Sequence, residues 1–367
     1  MPRSGFNASV HGARGLFAMM VFVYHIVHSG LRGFIPADAL FSVYFLESFK
    51  FGVELFFGIS GFVILGALAR APSIRSFLWD RATRIYPLLW ATLSAITLLS
   101  VISHRWLPSI GDWLLNFVQP APFISMPQIN PAAWSLGYEL FFYVLCATCW
   151  ALRARGLSWQ PLAWVVGGAC LLLFPRAVLM PAGLLIASGL VSVTARRWIG
   201  AAPFFALIVF LIGWRVVDLA CGGDIMTFTP VARPLARWTV LLPLAIGSAI
   251  CGAAALFGIV EQRGWFTAIL RTRPLQWLGA ISFSFYLWHP VVMSVVKGVL
   301  IKTGITAAAG SAAQLLLALS LLPALIVAHF SQIHLEARLT RTLRRHGPRD
   351  DRGEAPVTTA ALEHSPP

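Results

Sequence analysis

Charged residues are scarce in this sequence of 367 residues, where they make up only 11% of the chain. Soluble domains carry roughly 25% charged residues, so a soluble globular fold is excluded. Apolar residues account for 58% of the chain, and long apolar runs recur along it. Such runs are typical of membrane-spanning helices, and the composition therefore predicts an integral membrane protein.

Cysteine is also scarce, with five residues, and their spacing does not suggest a disulfide framework. Cys146 and Cys149 form a Cys-x-x-Cys pair inside an apolar run, but no second pair accompanies them. We interpret both as small hydrophobic residues of a helix. We therefore expect no metal site and no bound cofactor.

Lysine is almost absent, since 25 of the 28 basic residues are arginine, and the formal net charge is +14. The arginines lie mainly between apolar runs, as expected for cytoplasmic loops of a membrane protein rather than for a nucleic-acid partner. Placing the N-terminus in the cytoplasm puts 19 of the 28 basic residues on that side. The sequence therefore predicts that both termini are cytoplasmic.

About ten membrane-spanning helices fit the apolar runs, so the predicted fold is an all-α polytopic membrane protein. We predict a membrane domain over residues 1–346 and a disordered cytoplasmic tail over 347–367, where proline and charge increase. The fifth and sixth spans, on either side of Pro175, could instead form one re-entrant unit. The predicted spans are 13–30, 50–69, 85–103, 134–152, 161–175, 177–194, 199–217, 238–260, 277–300 and 305–330.

Two acidic residues, Glu54 and Glu139, lie clearly within these spans. A charge at the bilayer centre costs at least about 2.5–3.5 kcal/mol on insertion scales, so such residues indicate function. Both lie near the predicted outer ends of their spans, which favours a polar cavity open to the outer side. Glu54 shares a helix face with Gly58 and Gly61, which suits close packing or a cavity. A buried ion pair between Glu54 and an arginine is the alternative.

The first span carries Arg14 and His25, which are 11 residues apart. This spacing is close to three helical turns, so the two side chains share a face and lie about 16 Å apart along the axis. Histidine is the side chain best suited to general base catalysis near neutral pH. We therefore predict that His25 is catalytic, the alternative being a satisfied interior histidine.

Arg81 and Arg84 precede the third span with a spacing of three residues, which places both guanidinium groups on one side of a helix. Paired arginine forks suit phosphate groups, although positive-inside anchoring is an alternative. In the ninth span, His289 precedes Pro290, whose kink is expected to free a backbone carbonyl to line a cavity. The candidate cavity-lining residues are Ser135, Tyr286, Trp288 and His289.

These segments, in this order, resemble acyltransferase family 3, the integral-membrane O-acyltransferases that modify glycans. The resemblance covers about residues 12–345. The chain departs from it at Glu54, where many members have aspartate, and at Gly137 and Tyr138 after Ser-Leu. The matching segments are Arg14-Gly-Leu through His25, Val53 to Phe62, Arg81-x-x-Arg84, Trp134 to Glu139, Ser284 to Pro290, and Glu336.

The resemblance implies an acyl-CoA donor from the cytosol and a carbohydrate or lipid-linked glycan acceptor at the outer face. It also implies O-acetyl transfer at the bacterial inner membrane. Some members carry an esterase-like domain after the tenth helix, which we do not expect here. The residues that it implies are His25, Glu139 and Glu54 for catalysis and Arg14, Arg81 and Arg84 for binding acyl-CoA.

A polytopic transporter or flippase for a glycan or glycolipid is the competing hypothesis, because buried Glu, His and Arg also build substrate and proton pathways. The sequence shows no repeat of two halves of the kind that many secondary transporters have. A membrane sensor or assembly subunit is a weaker hypothesis, since the loops leave little room for a ligand-binding domain. The acyltransferase is therefore favoured.

Overall fold

A computed structural model describes residues 6–31, 40–103, 107–120, 123–124, 126–190, 201–221, 235–305 and 311–347. These residues form helices and no β-strand, which confirms the all-α prediction. The α-helices are α1 (Ala8–Val27), α2 (Leu40–Glu47), α3 (Gly52–Arg70), α4 (Ile74–Ile102), α5 (Ile110–Val118), α6 (Trp134–Ala154), α7 (Gln160–Leu173), α8 (Leu179–Ser188), α9 (Pro203–Ala220), α10 (Leu235–Val260), α11 (Gly264–Leu270), α12 (Arg273–Lys302), α13 (Ala312–Ser331) and α14 (Thr340–Arg345).

Eight helical segments in the described part of the chain are long and apolar enough to cross a membrane, which confirms a polytopic membrane protein. The predicted spans 161–175 and 177–194 correspond to shorter helices, α7 with 14 residues and α8 with 10 residues after a 3-10 turn. A bilayer needs about 20 residues of helix. The eight segments are Ala8–Val27, Tyr44–Arg70, Ile74–Ile102, Trp134–Ala154, Pro203–Ala220, Leu241–Val260, Arg273–Lys302 and Ala312–Arg345.

Helices α1 and α12 pack with their backbones in close contact. A Cβ atom on Gly279 would lie 2.2 Å from the carbonyl oxygen of His11, and one on Gly15 would lie 2.7 Å from the amide nitrogen of Gly279. His25 contacts His289, and Gly15 contacts Gly279. Both pairs are 264 positions apart in the sequence. A constant separation means that the two helices run parallel in register, so the glycines determine which side chains face each other further along.

Helices α3 and α8 make a second close contact through small residues. A Cβ atom on Gly61 would lie 2.1 Å from the carbonyl oxygen of Met180, and one on Gly183 would lie 2.0 Å from that of Gly58. The small face that Gly58 and Gly61 give to α3 therefore serves close helix packing rather than a cavity.

Helix α12 continues through Pro290 to Lys302. The Asn130 side-chain amide donates to the carbonyl of Leu287 (3.0 Å), and the His289 ring bonds to the carbonyl of Phe285 (3.1 Å). Two carbonyls of the turn before the proline are therefore bonded to side chains, as membrane-buried backbone requires. The carbonyl that Pro290 leaves without an N–H donor is that of Tyr286, and that it lines a cavity stays a prediction.

After α13 the chain continues through a π-helical segment, Gln332–Leu339, into α14. The Thr340 hydroxyl donates to the carbonyl of Thr83 (3.0 Å), and Arg344 pairs with Asp80 (3.1 Å). These contacts hold the C-terminal helix against α4. Of the predicted disordered tail, 347–367, only residue 347 is among the described residues.

Candidate active site

A cavity of about 360 Å³ opens between α1, α3, α4, α6 and α12. Arg14, Arg81 and Arg84, the three predicted donor-binding residues, all line it, and Arg70 adds a fourth guanidinium group. We call this space the arginine cavity. The structure therefore brings together arginines of three helices, α1, α3 and α4, that lie up to 70 positions apart in the sequence.

The three predicted arginines have no carboxylate within ion-pair distance in the described structure. Arg81 lies over the rings of Phe77 and Tyr143, at 5.7 and 5.8 Å from their centroids, and its Nε is buried without a hydrogen-bond partner among the described residues. Guanidinium groups that are not neutralised by the protein favour an anion. The cavity is therefore suited to a phosphate-bearing ligand.

Glu139 is the carboxylate that lines the arginine cavity. Its Oε1 accepts hydrogen bonds from the Ser60 hydroxyl (2.9 Å) and from the Tyr143 hydroxyl. Glu336, on the π-helical segment, accepts from Ser284 (3.0 Å). Neither carboxylate forms an ion pair with Arg14, Arg81 or Arg84 in the described structure, so the cavity keeps an excess of positive charge.

Glu54 lies elsewhere, paired with Arg176 at 2.7 Å, and both side chains are buried. The guanidinium carbon of Arg176 lies 3.7 Å from the ring centroid of Trp134. The prediction that Glu54 and Glu139 share a cavity is therefore wrong. The 3-10 turn that begins at Pro175 brings Arg176 to Glu54, as in the ion-pair alternative, and a catalytic role for Glu54 stays a prediction.

His25 does not line the arginine cavity. Its Nδ1 lies 2.7 Å from Nε2 of His289, and the two rings are stacked with centroids 4.9 Å apart. His289 is fully buried, whereas His25 keeps some exposure. The structure therefore places the predicted base at the end of α1 opposite Arg14, next to a second histidine that the sequence did not identify as its partner.

Of the four candidate cavity-lining residues, Ser135 and Tyr286 line the arginine cavity, with their hydroxyl oxygens 2.9 Å apart. Trp288 does not, because it faces α13, where its Nε1 donates to the hydroxyl of Ser331 (2.9 Å). His289 does not line it either, and its ring centroid lies 6.2 Å from that of Tyr286. Tyr286 therefore lines the arginine cavity and also neighbours the histidine pair.

A second polar region, which sequence analysis missed, joins the segment before α3 to α9. Lys50 pairs with Asp218 (2.6 Å), Arg215 pairs with Asp218 (2.9 Å) and with Glu47, and Asp218 is fully buried. We call these four residues the buried ion-pair cluster. The sequence feature that could have indicated this cluster is the pair Arg215 and Asp218, three residues apart at the end of an apolar run.

The family model described as an acyltransferase domain, that of acyltransferase family 3, matches residues 7–329. Peptidoglycan O-acetyltransferase OatA of Listeria monocytogenes is 22% identical over 80% of this chain and 50% of its own length. Exopolysaccharide production protein ExoZ of Rhizobium meliloti is 28% identical over 71% of this chain and 81% of its own.

Acyltransferase MdmB of Streptomyces mycarofaciens is 26% identical over 78% of each chain. This chain thus aligns with about half the length of the Listeria protein and with most of the other two. No solved structure matches the chain. Because the family model covers nearly the whole chain, the chain belongs to acyltransferase family 3 and is a membrane acyltransferase.

Proposed function

We propose that this protein transfers an acyl group, most simply acetyl, from acyl-CoA to a hydroxyl of a cell-surface or exported carbohydrate. The observation that carries the proposal is the convergence of Arg14, Arg81 and Arg84 on one cavity without ion-pair partners among the described residues. Acyl-CoA carries its negative charge on phosphate groups, which arginine forks bind well.

We propose that the arginine cavity, which includes Glu139, faces the cytoplasm of a bacterial inner membrane rather than the outer side expected from the position of Glu139 in its span. We also propose that both termini lie on the cytoplasmic side. The start of α1, the end of α3 and the start of α4 contribute arginines to the cavity. Placing them in the cytoplasm agrees with the excess of positive charge there and with the cytosolic supply of acyl-CoA. His25 then lies toward the outer side, about 16 Å along α1 from Arg14.

The proposed reaction is an attack of the acceptor hydroxyl oxygen on the thioester carbonyl carbon. A C–O bond forms, the C–S bond breaks, and the hydroxyl proton passes to the imidazole of His25 as general base. The CoA thiolate leaves and takes up a proton. Glu139, hydrogen-bonded to Ser60 and Tyr143, lines the same cavity as the arginines and would lie beside the bound donor.

The carbohydrate acceptor is supported by the names of two relatives, one a peptidoglycan O-acetyltransferase and one an exopolysaccharide production protein. The test is incubation of purified protein with radiolabelled acetyl-CoA and candidate glycans. Label that moves to the glycan supports the proposal. An intact donor, together with movement of the glycan across proteoliposomes, would instead favour the transporter hypothesis.

The matched variants for this assay are His25→Ala, Glu139→Ala and His28→Ala. Loss of a general base typically lowers the rate by about 10²–10⁴-fold, so we expect His25→Ala to lower turnover by that amount with normal protein levels. We expect loss of transfer in Glu139→Ala as well. His28, one turn beyond His25 and half-exposed, is the control, and near-normal turnover in His25→Ala would contradict the assigned base.

A further inference from the structure

The contact between His25 and His289 joins α1 to α12 at the end of the bundle opposite the arginines. It is the one hydrogen bond that the His25 ring makes among the described residues. The close glycine contact of the two helices holds them in the register that this bond requires. A catalytic role for this contact rests on the proposed function, in which His25 acts as the base.

The proton positions on His289 follow from its two contacts. Its Nδ1 lies 3.1 Å from the carbonyl oxygen of Phe285, and its Nε2 lies 2.7 Å from Nδ1 of His25. A carbonyl oxygen only accepts hydrogen bonds, so Nδ1 of His289 carries a proton. In a neutral ring, Nε2 of His289 is then an acceptor.

His289 is fully buried, and the aromatic rings of Phe22, Phe285 and Tyr286 lie around it with centroids 5.8 to 6.2 Å away. No carboxylate bonds to it among the described residues. A buried charge without a partner is costly, so the ring is neutral. Nε2 of His289 therefore accepts a proton from Nδ1 of His25.

We propose that His289 is a positioning residue that holds His25 in the tautomer protonated at Nδ1. Nε2 of His25 is then left with a free lone pair. Among the described residues Nε2 has no hydrogen-bond partner, and the His25 side chain is partly exposed. The nitrogen that can reach an acceptor hydroxyl is thus the nitrogen that can take its proton.

The same contact supports the reacting state. When Nε2 of His25 takes the hydroxyl proton, the ring becomes an imidazolium that donates from both nitrogens. The bond from its Nδ1 to His289 becomes charge-assisted and hence stronger. The proton then leaves Nε2 for the CoA thiolate, which restores the neutral pair. His289 neither gains nor loses a proton in this cycle.

The kinetic test compares His289→Gln with His289→Asn. The glutamine oxygen can lie near the position of Nε2 and accept from His25, whereas the shorter asparagine cannot reach. We expect kcat to fall about 10- to 100-fold in His289→Asn, with KM for acetyl-CoA and the unfolding midpoint unchanged. His289→Gln is expected to recover kcat to within about fivefold. Equal kcat in the two variants, or a change confined to KM, would overturn the proposal.

A spectroscopic test does not depend on activity. In histidine-labelled protein in bilayers, solid-state NMR distinguishes the two neutral tautomers by their ring nitrogen shifts, and His25→Asn assigns the signal. We expect Nδ1 of His25 to be protonated in the unmodified chain and a tautomer mixture in His289→Asn. Protonation at Nε2 in the unmodified chain would overturn the proposal, whereas the expected tautomer in a protein without transfer activity would count against the proposed function alone.

Discussion

The arginine cavity and the buried ion-pair cluster both place charge inside an apolar bundle, but they neutralise it differently. In the cluster, Asp218 accepts from Lys50 and Arg215, and Arg215 also reaches Glu47. In the cavity, Arg81 and Arg84 face aromatic rings instead, and Glu139 bonds to hydroxyl groups. Charges that are paired hold helices together, whereas cations without a partner are suited to a ligand.

This difference matters because burying a charge is costly whether or not it serves a function. The cluster lowers that cost by direct pairing between α9 and the segment before α3. The arginine cavity tolerates its guanidinium groups because the space around them is open and Glu139 and Glu336 act on them from a distance. Variants in the two regions should therefore change different measurements.

The largest effect is expected for Asp218→Ala, which leaves Lys50 and Arg215 without their shared carboxylate. Removing one partner of a buried ion pair costs about 3–5 kcal/mol, so the free energy of unfolding in detergent should fall by that amount. Lys50→Met is the matched control, because Asp218 keeps its contact with Arg215. Equal losses in the two variants would show that the cluster does not depend on its central acid.

For the arginine cavity, Arg81→Ala or Arg84→Ala should leave the unfolding midpoint nearly unchanged and weaken acetyl-CoA binding. Loss of one charge-assisted contact costs about 1.5–3 kcal/mol, which is about 10–150-fold in Kd. Lysine should rescue binding only partly, because it lacks the planar fork. Unchanged Kd in the Arg81→Ala/Arg84→Ala double variant would reduce this pair to topological anchors.

Glu54→Gln tests whether Glu54 has a structural role, like the buried ion-pair cluster, or a role in the reaction, like the arginine cavity. Its amide keeps a hydrogen-bond acceptor for Arg176 but leaves that buried guanidinium without a counter-ion, so the free energy of unfolding should fall by about 1.5–3 kcal/mol, less than for complete removal of a buried partner. Turnover should stay within about threefold, whereas Glu139→Gln should lower it much further. A fall in turnover as large as that of Glu139→Gln, without loss of stability, would place Glu54 in the reaction.

The smallest effect is expected from salt. Raising the ionic strength from 0.1 to 1 M shortens the screening length from about 10 to about 3 Å. Acetyl-CoA binding in the open arginine cavity should weaken several-fold, while the unfolding midpoint should hardly move, because buried pairs are screened less. Titrating acetyl-CoA at several salt concentrations tests this, and a Kd independent of salt would argue against phosphate recognition by arginine.

Much of the candidate site was predictable because it depends on spacing within one helix. The separation of Arg14 and His25 along α1, and the pairing of Arg81 with Arg84 on α4, follow from helical geometry alone. The structure confirms the all-α polytopic fold and brings the three predicted arginines to one cavity. The partners of the buried acids were not predictable in this way.

The sequence by itself determined the membrane class, most of the spans and the residues whose burial would be costly, because apolar content and helical periodicity are local properties. Only the tertiary structure decided which of those residues meet. It separated Glu54 from Glu139, gave His25 the partner His289 and joined Asp218 to Lys50. These pairings depend on the register between helices that are distant in the sequence, and backbone contacts at glycines fix that register. The periodicity of a single helix does not encode the register between two helices.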